Sequence, residues 1–304
     1  MQHKVIDVQD VVIRFTGDSG DGMQLTGSLF ADASAYFGND ISTFPDYPSE
    51  IRAPQGTVAG VSGFQVHIGS GAIYTPGDYC DVLVAMNPAA LKSNVKWLKP
   101  NATIIVDIDT FDQKGLQKAG FQTEDAFAEL KIKNRNIIAA PISTLTKECL
   151  NNCGMDPKSG LRCKNMFALG ICFFLYNMPL KHTEEFFKKH FAKSPGLMDM
   201  NNRVLKDGYN YAGNIQAIAD TYIVKQSKQK PGLYRNINGN RAIAWGLMAA
   251  SEKSGRPLFC GSYPITPATA ILEELAIHKE LGVKTLQCED EIAGICTAIG
   301  ASYA

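Results

Sequence analysis

Short apolar runs, separated by glycine, proline and polar segments, recur through the first 220 residues. An apolar run at 11–16 leads into a glycine-rich turn, and the next segment places Leu25, Leu29, Phe30 and Ala33 on one helical face. Further strands are predicted at 58–68, 81–86, 103–107 and 137–141, with a short helix at 89–98. This alternation is typical of a mostly parallel sheet with helices on both faces. The fold class that we predict is therefore α/β and Rossmann-like.

Three more helices are predicted in this part of the chain. The apolar segment 162–175 indicates a buried helix, 183–192 a charged amphipathic outer helix, and 204–221 a last helix. The segment 43–56 contains three prolines and is predicted to be an ordered loop.

A change of composition separates the last quarter of the chain from the rest. Residues 224–239 are polar and rich in lysine, as expected for an interdomain linker. We predict a first domain at 9–222, a linker at 223–237 and a second domain at 238–304. About 65 residues are too few for a doubly wound domain, so we expect the second domain to be incomplete and the chain to be truncated at Ala304.

Composition narrows the classes of function. The 304 residues carry a formal net charge of zero, and no basic run with interleaved aromatic residues argues for nucleic-acid binding. The longest apolar run, 166–176, is too short to span a bilayer, and the first residues do not resemble a signal peptide. We expect a cytoplasmic protein that does not bind membranes, in which the eight scattered cysteines are reduced thiols.

The first glycine-rich turn resembles two known motifs without matching either. Gly17, Gly20 and Gly22 are spaced G-x-x-G-x-G rather than the dinucleotide G-x-G-x-x-G, which disfavours an NAD-type dehydrogenase. Gly20-Asp21-Gly22 could begin a Mg²⁺–diphosphate motif, but no asparagine follows about 25 residues later. We therefore predict no metal on this chain. Asn87 follows a predicted strand, where it could contact a ligand or simply cap the next helix.

The stretch from Tyr263 to Gly294 carries the most specific pattern. Two prolines flank Thr266 in Tyr263-Pro264-Ile265-Thr266-Pro267, which predicts a stiff turn suited to binding a carboxylate or phosphate. Three acids, 289–291, precede a helix of small residues at 292–304. Acids commonly stabilise a helix N-terminus, so the pattern of charges alone leaves the role of Glu291 open.

These residues, with the later spacing Glu291-x-x-Gly294 and Gly300-Ala301, resemble the start of the alpha subunit of 2-oxoacid:ferredoxin oxidoreductases. That resemblance implies thiamine diphosphate as cofactor. It implies that Thr266 contacts the substrate carboxylate and that Glu291 hydrogen-bonds the aminopyrimidine ring and activates the cofactor. Tyr263 and Gly294 are expected at the same cofactor site, where the glycine would allow close backbone approach.

The first domain resembles the gamma domain of the same family, through Gly17–Gly56, Tyr47–Arg52 and Lys164–Gly170. Arg52 would pair with an oxoacid carboxylate or a coenzyme A phosphate, although a structural ion pair is the alternative. The order gamma then alpha implies oxidative decarboxylation of 2-oxoglutarate to succinyl-CoA with electrons passed to ferredoxin. A beta subunit would hold Mg²⁺, the diphosphate and a [4Fe-4S] cluster. The alternative function is a non-catalytic assembly or coenzyme A-binding module.

Overall fold

The computed structural model describes residues 4–47, 60–151, 160–215, 218, 220–230 and 232–303. The chain divides into two compact units, residues 1–230 and 231–304. No helix among the described residues is long and apolar enough to cross a membrane.

The first unit contains a six-stranded sheet in the order β3-β4-β2-β5-β6-β7. Its strands are β2 Asp10–Asp18, β3 Asp40–Asp46, β4 Val61–Gly69, β5 Cys80–Ala85, β6 Leu98–Asp107 and β7 Asn136–Ala140. Strands β2, β5, β6 and β7 run parallel, which confirms the predicted α/β class, whereas β4 and β3 add an antiparallel edge. The predicted loop 43–56 was wrong for residues 43–46, because they pair with β4 at the edge of the sheet, where Pro45 is tolerated.

Helices cover the sheet of the first unit. They are α1 Met23–Tyr36, α2 Pro88–Asn94, α3 Gln113–Lys118, α4 Ala126–Glu129, α5 Ile142–Asn151, α6 Lys164–Leu175, α7 Lys181–His190 and α8 Pro195–Asn214. The helix predicted at 204–221 begins earlier, since Pro195 occupies its first turn. Residues 220 and 221 instead belong to β8, Asp220–Val224, which pairs in parallel with β1, Lys4–Val8.

The core of the first unit is built on aromatic side chains. Phe15, Phe30 and Phe173 are fully buried, and the ring of Phe30 lies 5.8 Å from that of Phe15 and 5.9 Å from that of Phe173. The predicted buried helix 162–175 is confirmed as α6, which lies directly against α8. A Cβ added at Gly170 would lie 2.3 Å from a backbone oxygen of α8, so glycine permits this contact.

The second unit is small. It consists of α9 Gly239–Ser254, β9 Phe259–Ser262, α10 Thr269–Ala276, β10 Lys284–Gln287 and α11 Glu291–Ser302. Strands β9 and β10 pair in parallel, and Ala244, Leu275 and Val283 form the buried cluster. Helix α10 ends at Ala276, and a separate 3₁₀ turn follows before Gly282, which has φ 75°.

Candidate functional site

The parallel pairing of β9 and β10 explains why distant residues meet in the second unit. Both strands deliver their carboxyl ends to one edge of the sheet, and the Cys288 N–H donates to the Ser262 carbonyl at 2.7 Å. The proline-flanked turn after β9 and the acidic run after β10 therefore leave the sheet side by side. The first begins at Tyr263, and the second ends at Glu291.

Glu291 is the first residue of α11. The Asp290 side chain caps this helix by accepting from the Ala293 N–H at 2.8 Å, which leaves the exposed carboxylate of Glu291 free of the capping role. The Tyr263 hydroxyl donates to Glu291 Oε1 at 3.4 Å. Desolvation raises the pKa of Tyr263, and the neighbouring Glu291 carboxylate raises it further.

Glycine allows α11 to lie close to β9. A Cβ added at Gly261 would lie 3.0 Å from the Gly294 carbonyl oxygen. A side chain at position 261 would therefore crowd the backbone of α11, and glycine avoids this. A Cβ added at Gly294 would make ordinary contacts of 3.6 Å or more. Gly294 itself is buried against β9.

Thr266 lies in the turn between β9 and α10 and is exposed. The turn is held by its neighbours: Thr269 Oγ1 accepts from the Ile265 N–H at 2.8 Å, and Asn240 donates to the Pro267 carbonyl at 2.8 Å. The Thr266–Pro267 peptide is cis. The hydrogen bonds of the described residues bring Tyr263, rather than Thr266, to Glu291.

One cavity of the first unit, of about 200 Å³, lies at the carboxyl ends of β2 and β5. Its polar lining comprises Asp18, Asp21, Asn87, Thr110, Lys118 and Lys164. Asn87 caps α2, which was one of its two predicted roles: its side chain accepts from the Ala90 N–H at 2.8 Å. The same side chain donates to Asp18 at 3.0 Å. Sequence reasoning did not assign Lys164 or Thr110 to this edge, since each follows from packing between distant segments.

Asp107 is a fully buried carboxyl group at the end of β6. It accepts from the Ser143 hydroxyl at 2.6 Å and from the Ser143 N–H at 3.1 Å. Burial raises the pKa of Asp107, although the Ser143 hydrogen bonds and the Lys164 charge act in the opposite direction.

Some predicted features have no described structure. Arg52 lies outside the described residues. In the part of the chain that the structure describes, no group of three or more His, Cys, Asp or Glu side chains could hold a metal ion. Six described cysteines are free thiols: Cys80, Cys163, Cys172, Cys260, Cys288 and Cys296.

Two family models match the chain. Residues 12–211 match the pyruvate ferredoxin/flavodoxin oxidoreductase model, and residues 251–304 match a model described as "pyruvate flavodoxin/ferredoxin oxidoreductase, thiamine diP-bdg". The chain belongs to the pyruvate ferredoxin/flavodoxin oxidoreductase family. This confirms the resemblance to 2-oxoacid:ferredoxin oxidoreductases that the motifs predicted.

Individual relatives agree with this assignment. The 2-oxoglutarate oxidoreductase subunit KorA of Mycobacterium tuberculosis is 46% identical over 296 residues, which cover 97% of this chain and 45% of that protein. The indolepyruvate oxidoreductase subunit IorB of Archaeoglobus fulgidus is 24% identical over 201 residues, which cover 64% of this chain and 92% of that subunit.

A solved structure is similar over nearly the whole chain. The 2-oxoglutarate:ferredoxin oxidoreductase from Magnetococcus marinus, with 2-oxoglutarate, coenzyme A and succinyl-CoA bound, is 29% identical with a TM-score of 0.72. The match covers 97% of this chain and 46% of that one. The chain thus spans about half the length of the 2-oxoglutarate oxidoreductases that it matches.

Proposed function

We propose that this chain contributes the gamma-type domain and the beginning of the thiamine-binding alpha domain of a 2-oxoglutarate:ferredoxin oxidoreductase. The reaction is oxidative decarboxylation of 2-oxoglutarate to succinyl-CoA, with electrons passed to ferredoxin. The observation that supports it most directly is the contact between Tyr263 and Glu291, which lies within the region that matches the thiamine diphosphate-binding model.

The residues at this edge fit the aminopyrimidine ring of thiamine diphosphate. Glu291 offers an exposed carboxylate, its helix is capped by Asp290, and no basic side chain pairs with it among the described residues. A carboxylate in that position would accept a hydrogen bond from the protonated ring nitrogen and so keep the proton on that nitrogen. When bound, the cofactor supplies carbanion stabilisation for decarboxylation.

Thr266 and Arg52 are our proposed substrate contacts. The hydroxyl of Thr266 is exposed on a turn held by Thr269 and Asn240, so it can donate to a carboxylate of the oxoacid without a large loss of side-chain freedom. Arg52 would pair with a second anionic group of the oxoacid or of coenzyme A.

A beta subunit would complete the site with the diphosphate-binding residues, Mg²⁺ and a [4Fe-4S] cluster. The surface that starts at Glu291 supports a protein neighbour. On α11, Ile292, Ile295 and Ile299 are 70%, 59% and 52% exposed and recur at helical spacing. A contiguous apolar face of this kind is typical of an interface.

Calorimetry tests this proposal. We expect thiamine diphosphate with Mg²⁺ to bind weakly to the 304-residue chain alone, and tightly once a beta subunit is present. Tight binding by the chain alone would contradict the assignment of the diphosphate site to a partner. Absence of 2-oxoglutarate-dependent ferredoxin reduction by the reconstituted complex would contradict the proposed reaction.

The cavity of the first unit favours a second candidate function, binding of coenzyme A by a gamma-type module. It lies at the strand ends where α/β folds bind ligands. A pull-down with a beta subunit, followed by an activity assay, separates the candidates, because a non-catalytic module would assemble without supporting turnover.

The domain boundaries 9–222, 223–237 and 238–304 also stay a proposal. Support comes from the IorB match, which covers nearly all of a separate subunit with 201 aligned residues. Residues 223 and 224 lie in β8, so an ordered strand extends into the proposed linker. Limited proteolysis would test this, with first cleavage expected between residues 228 and 237. The cytoplasmic location stays a prediction as well.

A further inference from the structure

The Asp21 side chain occupies space inside the glycine turn of the first unit. Gly17 has no side chain, and a Cβ added there would lie 2.8 Å from Asp21 Oδ2 and 3.0 Å from Asp21 Cβ. In nucleotide-binding α/β folds, the glycines of this turn let the backbone approach a phosphate of the ligand. Here the group that approaches the backbone is a carboxylate of the same turn.

The same carboxylate takes up a backbone donor of the turn. Asp21 Oδ2 accepts from the Asp18 N–H at 2.9 Å, and the Asp21 N–H donates to the Asp18 carbonyl at 3.0 Å. Backbone N–H groups at such a turn are the donors that would otherwise bind an anion. The Asp18 N–H is therefore already satisfied by an internal anion.

Helix α6 holds this carboxylate in place from a distant part of the sequence. Lys164 Nζ lies 3.0 Å from Asp21 Oδ1, and the two side chains are 17% and 16% exposed. Asn165 is 3% exposed, and its side-chain nitrogen donates to the Gly22 carbonyl at 3.3 Å. A Cβ at Gly22 would lie 2.4 Å from that nitrogen, so α6 packs tightly on the turn.

The charges around the glycine turn leave no surplus for a phosphate at the turn itself. Asp18 adds a second carboxylate, which accepts from Asn87 at 3.0 Å. Lys118 and Lys164, the two lysines of the cavity lining, only balance Asp18 and Asp21. A phosphate entering the turn would meet two carboxylates at close range and would have to displace one of them.

We propose that Asp21 is a specificity residue, which acts as a built-in anion and excludes phosphate groups from the turn before α1. A ligand of this cavity would then present uncharged donors, such as hydroxyl or amide N–H groups, to Asp18, and would keep any phosphate away from the turn. The proposal does not depend on the proposed reaction, since it concerns only the contacts of the turn.

The test removes the internal anion and uses inorganic pyrophosphate as the probe. We expect Asp21→Ala to bind pyrophosphate at least about tenfold more tightly than the unmodified chain in calorimetry, because the Asp18 N–H and Lys164 become available. Asp125→Ala is the matched control. It removes the same charge from a helix-capping aspartate that pairs with Lys133, and it should bind no better than the unmodified chain.

Two results would overturn the proposal. One is an Asp21→Ala chain that melts cooperatively like the unmodified chain and yet gains no affinity for pyrophosphate. The other needs no variant: a saturable shift of the Asp18 backbone amide resonance when pyrophosphate is added to the unmodified, ¹⁵N-labelled chain would mean that the turn accepts the anion with Asp21 present. We expect that resonance to stay unmoved, even if Asp21→Ala fails to fold.

Discussion

The two units differ in the partners of the carboxylate that lies at the carboxyl ends of their parallel strands. In the first unit the Asp21 carboxylate occupies the strand-end turn, where it pairs with Lys164 and accepts from the Asp18 N–H at 2.9 Å. In the second unit the equivalent edge presents an exposed Glu291, which accepts a hydrogen bond from the Tyr263 hydroxyl. One edge is satisfied within its own unit, whereas the other offers a charged group to something else.

The two units also differ in packing, since the first unit buries large apolar side chains and the second leaves several exposed. The first unit buries large side chains such as Phe15, Phe30 and Phe167 at 1% exposure or less. Among the described residues of the second unit, the buried apolar side chains are Ala244, Leu272, Leu275 and Val283, while Ile292 and Ile295 on α11 are mostly exposed. A unit that buries so little of its own apolar surface gains little stability from it, and its exposed face suits a protein interface.

The largest effect is expected from the exposed carboxylate. In the reconstituted complex, Glu291→Gln should lower kcat by about 10²-fold or more, since it removes a group that accepts and holds a proton. Steady-state ferredoxin reduction measures this. Glu289→Gln is the matched control, because it removes a nearby charge from the same acidic run, and it should leave kcat within about twofold. Undiminished turnover in Glu291→Gln would remove the central role that we assign to it.

The next largest difference is expected in the stability cost of removing an apolar side chain from each unit. Phe30→Ala should destabilise the first unit by about 3–5 kcal/mol because it leaves a cavity, whereas Ile295→Ala should change stability by about 0.5 kcal/mol or less. Urea unfolding measures both. Trp97 belongs to the first unit and Trp245 to the second, so fluorescence in a Trp245→Phe background reports on the first unit alone. Equal costs would contradict the contrast in packing.

The substrate contact should have a smaller effect than the catalytic carboxylate. Thr266→Val in the complex should raise KM for the oxoacid about tenfold, since a hydrogen bond to a charged group contributes about 1.5–3 kcal/mol. Steady-state kinetics with varied 2-oxoglutarate measures it. Thr285→Val, on β10, is the control and should leave KM unchanged. An unchanged KM for Thr266→Val would place the substrate carboxylate elsewhere.

Tyr263 should affect cofactor binding through its hydrogen bond to Glu291, and its substitution should have a smaller effect than that of Thr266. Tyr263→Phe removes the hydroxyl that donates to Glu291 Oε1, so we expect KM for thiamine diphosphate to rise about fivefold, in line with about 1 kcal/mol for one hydrogen bond. Cofactor titration of the complex measures this. Tyr303→Phe, on a side chain that is 88% exposed, should have no effect. Tyr263→Phe with the kinetics of the unmodified complex would leave the hydroxyl without a role.

The smallest effect concerns pH and the first unit. Burial raises the pKa of Asp107 in the folded state, so its contribution to stability is present below the unfolded pKa and is lost as pH rises through the folded value. We expect the unmodified chain to gain stability relative to Asp107→Asn as pH falls from about 7 to about 4. Urea unfolding across that range measures the difference.

Asp125 supplies a control of opposite sign. The Ala128 N–H and Lys133 lower the pKa of Asp125, so the unmodified chain should gain stability relative to Asp125→Asn as pH rises. A relative stability of Asp107→Asn that does not change with pH would mean that this carboxyl titrates alike in the folded and unfolded chain.

Part of the fold could be predicted because local pattern and covalent geometry determine it. The predicted strand that enters Gly17 and the predicted helix that buries Phe30 both agree with the structure. The antiparallel strand β3 could not be predicted in this way. Its residues are polar and partly exposed, and only pairing with β4 makes them a strand.

The sequence by itself determined the family and the α/β class, because motifs and periodicity lie in consecutive positions, and it supplied the residues that we propose for the site. Only the tertiary structure decided which of those residues meet. Parallel strands bring Tyr263 to Glu291, and α6 brings Lys164 to Asp21 across more than 140 positions. Such contacts depend on the packing of distant segments, whose register and distance no local pattern specifies.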